Sequence, residues 1–143
     1  MADTISKVYI TWGQVYKLLD KIHEQVGSEI NLVAGIPRGG TLLAILYSHR
    51  YGVEYTEWPN DKYPHLLILD DIADTGETLK IWKDKISVPY YATLDYKRSS
   101  IVEPDFYGKK LIKEDKWIVY PWERKDSKPI QDYLKNEWTI KII

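Results

Sequence analysis

Two short stretches, VAGI at 33–36 and LLIL at 66–69, carry no polar side chain at any position. A strand with one wet face alternates polar and apolar residues. A strand that is apolar throughout must be covered on both faces. Around these stretches the period changes. Val15, Leu18, Leu19, Ile22 and Val26 recur at helical spacing, behind Thr11 with Gln14 three residues on and ahead of Gly27. That is a capping box, an amphipathic face and a glycine stop. The spacing predicts a helix over 12–26, and similar signals predict helices over 41–51, closed by Gly52, and over 75–83. Strands are expected over 7–10, 31–36, 53–58, 66–69, 89–94 and 116–120, with a short helix over 130–136. Doubly apolar strands alternating with helices predict an α/β fold with a mostly parallel central sheet flanked by helices.

The length of 143 residues suits one domain with one core. A net charge of -1 shows no basic surplus, so a nucleic-acid partner is not expected. The absence of cysteine excludes disulfides, thiolate metal sites and a cysteine nucleophile, and it suits the cytoplasm. The N-terminal residues lack the apolar core of a signal peptide and no later run is long enough to span a bilayer, so no membrane association is expected. His23, His49 and His65 show neither metal-ligand spacing nor a triad. Most of the 12 tyrosines and 6 tryptophans read as core filler, with a stacking platform as the alternative for some.

The apolar strand at 66–69 runs straight into LLILDDIADTGETL, which places three aspartates within five positions. In an open parallel sheet, ligands bind outside the carboxyl ends of the strands. Asp70 and Asp71 can accept hydrogen bonds from the vicinal hydroxyls of a ribose or help to hold Mg²⁺. Asp74, Thr75, Gly76, Glu77 and Thr78 then lead into a helix, whose first amides and dipole suit a phosphate. Three plainer readings compete. The metal-binding strand of a P-loop ATPase lacks its companion here, because no GxxxxGK[ST] is present. A receiver-type phosphoacceptor has no need of Asp-Thr-Gly. An N-cap at Asp74 or Thr75 explains neither Asp70 nor Asp71.

LLILDDIADTGETL closely resembles the motif with which type I phosphoribosyltransferases bind 5-phosphoribosyl-1-pyrophosphate (PRPP). Two further stretches follow the same order. VAGIPRGG at 33–40 is similar to the family's pyrophosphate loop. KWIVYPWE at 116–123 resembles the base-binding segment of the small xanthine-guanine and hypoxanthine-guanine members. The resemblance implies the type I phosphoribosyltransferase fold in a single domain over 1–143, with a core over about 28–95 and a small hood from about 1–11 and 96–143. It implies a purine phosphoribosyltransferase that moves the 5-phosphoribosyl group of PRPP onto guanine, xanthine or hypoxanthine, releases pyrophosphate and uses Mg²⁺. It also implies assembly as a homodimer or tetramer.

Site roles follow from the same resemblance. Asp70 and Asp71 bind the ribose and, with Glu123, the metal. Asp74 acts as the catalytic group at N7 of the purine, and the segment from Asp74 through Thr75, Gly76, Glu77 and Thr78 wraps the 5′-phosphate. Arg38 and Gly39 contact pyrophosphate, next to a Pro37–Arg38 peptide bond that the family often holds cis. Lys97, Trp117, Ile118 and Glu123 contact the base. By itself Lys97 reads as a solvated turn residue, Trp117 reads as core or as a stacking ring, and Arg38 reads as a turn residue whose following glycines favour close approach to a ligand. One feature departs from the pattern. Family enzymes carry a long mobile loop ahead of the acidic strand, whereas only PNDKYP separates Trp58 from His65 here. Asp61, Lys62 and Tyr63, or a partner subunit, are then left to cover the site. A non-catalytic PRPP- or nucleotide-binding regulator on the same fold is the alternative function, and a transferase with a non-purine acceptor is a third.

Overall fold

The structure, a computed structural model, describes residues 6–112 and 116–126. The helix expected over 130–136 lies outside the described residues. In chain order the elements are β1 (Ser6–Tyr9), α1 (Trp12–Val26), β2 (Leu32–Gly35), α2 (Gly39–Tyr51), β3 (Glu54–Tyr55), β4 (Leu66–Ala73), α3 (Glu77–Lys85), β5 (Tyr90–Lys97), β6 (Phe106–Leu111) and β7 (Lys116–Val119). A five-stranded sheet runs in the order β3-β2-β4-β5-β6, and β1 and β7 form a separate pair. Every strand pairing is parallel. This is the α/β architecture expected from the doubly apolar strands.

The alternation along β2 and β4 divides the core into two layers. Val33, Leu67 and Leu69 pack with Val15, Leu19 and Ile22 of α1 and Leu43 and Tyr47 of α2. Ala34, Leu66 and Ile68 pack with Leu79 and Trp82 of α3 on the other face. The α1 capping box is present as read: Thr11 Oγ1 accepts from Gln14 N–H at 3.1 Å, and Gln14 Oε1 accepts from Thr11 N–H at 2.8 Å.

Several boundaries move, each for a physical reason. β4 continues through Asp70 to Ala73 because Asp70, Ile72 and Ala73 pair with Thr93, Asp95 and Tyr96 of β5. The acidic pair therefore stands on the strand itself. β5 in turn reaches Lys97 through its pairing with β6. β3 shrinks to two residues. α2 starts at Gly39, two residues early, while α3 starts at Glu77, two residues late, because Gly76 is left-handed at φ 87°.

β6 is a larger correction. Its sequence, FYGKKL, shows no apolar run, yet it forms the sheet edge beside β5, so the core sheet extends well past residue 95. Edge strands tolerate such lysines, which discourage pairing with other chains. Gly108 allows this strand to lie close to its neighbours. A Cβ there would fall 2.7 Å from the Leu94 carbonyl oxygen and 2.9 Å from the Leu18 side chain.

The connection from β3 to β4 also differs from expectation. In an all-parallel sheet it must return from the carboxyl edge to the amino edge, and the strand order makes it pass β2 on the way. Asp61 Oδ1 accepts from the Val88 N–H at 2.9 Å, just ahead of β5. His65 carbonyl oxygen accepts from Asn31 N–H at 3.0 Å, just ahead of β2. Residues 61–65 thus lie at the amino edge. Asp61, Lys62 and Tyr63 do not reach the acidic strand end, because the whole connection is used in making the crossover.

Candidate active site

Three loops meet at the carboxyl edge. The first follows β2. Its Pro37–Arg38 peptide bond is cis. α2 begins directly afterwards, with Arg38 as N-cap and no side-chain cap bond. The helix can start this close to the sheet because Gly40 has no side chain: a Cβ there would sit 2.1 Å from the Leu69 carbonyl oxygen. A cavity of about 550 Å³ opens on the β3 side of the loop, lined among others by Pro37, Arg38, Thr41, Thr56 and Glu57.

The second is the acidic strand end. Asp70 is buried and Asp71 partly buried. Each turns one carboxylate oxygen back to the next amide: Asp70 Oδ1 accepts from Asp71 N–H at 2.9 Å and Asp71 Oδ1 from Ile72 N–H at 2.8 Å. The other oxygen of Asp71 faces the first loop, since a Cβ on Gly39 would lie 2.5 Å from it. The residues expected at pyrophosphate and at ribose are therefore neighbours, although they are about thirty positions apart in sequence.

Beyond Ala73 the chain turns into α3. Thr75 Oγ1 accepts from Glu77 N–H at 3.3 Å, and the Thr75 carbonyl oxygen accepts from Ile101 N–H at 2.9 Å. α3 has Gly76 as N-cap and no side-chain cap bond. A Cβ on Gly76 would meet Ser100 Oγ at 2.4 Å and the backbone nitrogens of Ile101 and Val102 at 2.9 and 3.0 Å. The first turn of a helix presents N–H groups without intrahelical partners and the positive end of its dipole. Two helices present such a turn to this edge, and neither is capped by its N-cap side chain.

The third region lies beside β5 and β7. Lys97 Nζ is 3.0 Å from Asp74 Oδ1, with both side chains largely buried. The same ammonium donates to the Lys116 carbonyl oxygen at 3.1 Å, immediately before Trp117. Asp74, Lys97 and the start of β7 are thus gathered in one place. Trp117 is partly buried, and its indole N–H is buried with no hydrogen-bond partner among the described residues. Ile118 packs against the core. Glu123 Oε1 accepts from the Tyr120 N–H at 2.8 Å.

Two residues without an assigned role in the sequence reading join this cluster. Asp95 and Tyr120 are 3% and 2% exposed. The Tyr120 hydroxyl lies 2.8 Å from Asp95 Oδ2 and 3.1 Å from the Asp71 carbonyl oxygen. Burial pushes the Asp95 carboxyl up to about 6, against the opposing pull of the Tyr120 hydrogen bond and the Lys109 charge. Burial, and the nearby carboxylates after it, hold the Tyr120 phenol well above its ordinary range. Trp122 stacks flat on Tyr120, with centroids 5.0 Å apart and planes at 6°. The only sequence signal for Asp95 is a lone charge inside the otherwise uncharged ATLDY.

No family model matches the chain. A xanthine-guanine phosphoribosyltransferase of Nitratidesulfovibrio vulgaris strain Hildenborough is 25% identical, in an alignment covering 85% of this chain and 88% of that protein. The solved purine phosphoribosyltransferase of Pyrococcus horikoshii superposes with a TM-score of 0.70 at 25% identity, over 84% of this chain and 95% of that one. A xanthine-guanine-hypoxanthine phosphoribosyltransferase of Helicobacter pylori shares the fold with a TM-score of 0.65 at 20% identity, over 83% and 93% of the two chains. The parallel sheet and these superpositions show the type I phosphoribosyltransferase fold, and the chain is similar to these purine phosphoribosyltransferases over more than four fifths of its length.

Proposed function

We propose that the protein transfers the 5-phosphoribosyl group of PRPP to a 6-oxopurine and releases pyrophosphate. The observation that carries this reading is the Asp74–Lys97 pair, an anion and a cation side by side at 3.0 Å. A 6-oxopurine offers the matching pattern, with N7 and the O6 acceptor on one edge. Lys97 donates to O6, and Asp74 takes the N7 proton as the new glycosidic bond forms. A 6-aminopurine turns N–H donors toward the ammonium and is disfavoured. Trp117 stacks on the ring, and the Ile118 backbone meets the exocyclic group at C2.

The rest of the edge serves PRPP. Asp70 and Asp71 clasp the ribose hydroxyls. The segment from Asp74 to Thr78, opening onto the start of α3, holds the 5′-phosphate, and Arg38 and Gly39 hold pyrophosphate. Departure of pyrophosphate leaves oxocarbenium-like charge on the ribose. Fixed donors and carboxylates already in position stabilise that charge without reorganising. Among the described residues no three His, Cys, Asp or Glu side chains converge on one point, so they provide no protein-only metal cage. That fits Mg²⁺, which is commonly held by one or two carboxylates plus substrate phosphates. Asp70, Asp71 and Glu123 are the hard oxygen donors that would hold it, and the ion would neutralise charge on the leaving pyrophosphate. A cytoplasmic homodimer or tetramer completes the proposal. Among the described residues no helix is long and apolar enough to cross a membrane.

A PRPP- or nucleotide-binding regulator on the same fold is the second reading. It draws support from the β3–β4 connection, which is spent on the crossover and supplies no lid. Pyrophosphate release with PRPP, Mg²⁺ and guanine, xanthine, hypoxanthine or adenine in turn separates the two. Release is expected with at least one 6-oxopurine and far less with adenine. Asp74→Asn should slow turnover about 10²–10⁴-fold while PRPP still binds. Tight PRPP binding without release for any base would establish the regulator instead.

A further inference from the structure

The geometry points to Tyr120 and Asp95 as positioning residues that hold Asp71 in register with the pyrophosphate loop, and so set the affinity for PRPP with its metal. The inference takes the phosphoribosyl-transfer reading above as its basis.

Tyr120 follows β7, outside the five-stranded sheet, yet its hydroxyl reaches the end of β4 at the Asp71 carbonyl oxygen and the side chain of Asp95 on β5. These partners are 49 and 25 residues away in sequence. A phenol has one proton, and here it faces two acceptors, the Asp95 carboxylate at 2.8 Å and the Asp71 carbonyl oxygen at 3.1 Å. The shorter, charge-assisted contact dominates, and the other is the weaker arm of a three-centre hydrogen bond. Asp95 thereby fixes where the phenol oxygen sits, and the phenol abuts the Asp71 peptide. Asp71 has little room to compensate for an error. One of its oxygens is bound by the Ile72 amide, and the other faces Gly39 at a distance that a single Cβ would violate. Rotating the Asp71 peptide carries that carboxylate toward or away from Arg38 and Gly39.

Tyr120 controls more than this one contact. Its ring lies flat on Trp122, whose indole nitrogen would come within 3.4 Å of a Cβ on Gly39. Its N–H donates to Glu123. The Tyr120 side chain therefore connects the acidic strand end with the pyrophosphate loop through Trp122, and its backbone N–H reaches Glu123. A buried carboxylate at Asp95 is a poor choice for packing alone, because an apolar residue of similar volume would fill the site without desolvating a charge. Its presence is accounted for if the phenol must be held at one point.

The test compares Tyr120→Phe, Asp95→Leu and Asp95→Asn with the parent protein. The readouts are steady-state kinetics with PRPP and Mg²⁺ varied, calorimetric PRPP–Mg²⁺ binding, and thermal melting as a control for folding. Tyr120→Phe keeps the ring stack and loses the hydroxyl. Its KM and Kd for PRPP should rise about tenfold, the scale of one lost hydrogen bond, with the KM for the base within about twofold. Asp95→Leu should reproduce that pattern. Asp95→Asn, which retains an acceptor for the phenol, should recover most of the loss. Unchanged PRPP affinity in Tyr120→Phe overturns the inference, as does an Asp95→Asn variant no better than Asp95→Leu. If the parent binds PRPP but turns over no base, the transfer reading fails while the comparison of Kd values still decides the role of Tyr120. If the parent does not bind PRPP, both fail.

Discussion

α1 and α3 both begin just after a threonine, and their first turns are built in opposite ways. α1, whose first residue Trp12 packs on Trp122 at 5.7 Å, closes its own N-terminus: Thr11 and Gln14 exchange side-chain and backbone hydrogen bonds. α3, at the site, starts from a left-handed glycine with no side-chain cap, and α2 likewise starts from Arg38 without one. Capping by the helix's own side chains contributes about 1 kcal/mol. First turns left open in this way suit an anion. α1 satisfies its first turn with its own side chains, whereas α2 and α3 lack an N-cap side-chain bond and in α3, among the described side chains, only the Glu77 N–H is met, by Thr75 Oγ1 at 3.3 Å.

The contrast can be broken most directly at Gly76. Gly76→Ala places a Cβ at φ 87° and against Ser100 and the amides of Ile101 and Val102. The left-handed conformation and the overpacking together should cost about 2–4 kcal/mol and loosen PRPP binding, as read by chemical denaturation and PRPP titration. Stability and PRPP affinity both equal to the parent would mean that the loop is not a built cradle.

Two carboxylates sharpen the comparison. Asp20 of α1 is partly exposed and ion-paired with Arg50 at 2.9 Å, and that hydrogen bond holds its carboxyl below the ordinary carboxylate range. Asp95 is buried and shifted the other way, from 3.8 to about 6. For an acid with a raised folded-state pKa, the stabilising form is the protonated one. That contribution is complete below about pH 4 and is lost as pH rises through about 6. The shift corresponds to at most about 3 kcal/mol. Asp95→Asn cannot ionise, so the parent should lose up to that much stability relative to the variant between about pH 4 and pH 7. Urea melts at the two pH values measure it, and a constant difference refutes it.

The smallest effect lies on the control side. Thr11→Ala removes the α1 cap and should cost about 1 kcal/mol in a thermal melt, with kcat and PRPP affinity unchanged. A loss of PRPP affinity there would erase the distinction between the two kinds of helix start.

Legibility followed the range of the interactions. The capping box at Thr11 and Gln14, the glycine stops, the doubly apolar VAGI and LLIL, and the run from Asp70 to Thr78 depend on neighbours within one turn or one strand. All could be read in order. β6 could not, because FYGKKL becomes a strand only through pairing with β5 and the close approach of Gly108 to Leu94 and Leu18. The direction of 59–64 was equally hidden. PNDKYP shows a short connection, but only the strand order β3-β2-β4 makes it a crossover that ends at the amino edge.

By itself, then, the sequence determined that this chain forms a covered parallel sheet and that a charged, glycine-bearing turn ends its central strand. Periodicity and turn chemistry are local, and each residue carries them wherever the chain goes. Only the tertiary structure decided that Lys97 would meet Asp74, that β7 would leave the main sheet to pair with β1, and that one phenol would join Asp95 to Asp71. Those contacts depend on strand register and on which elements lie side by side. Both are set when the whole core packs, and no short window of residues contains them.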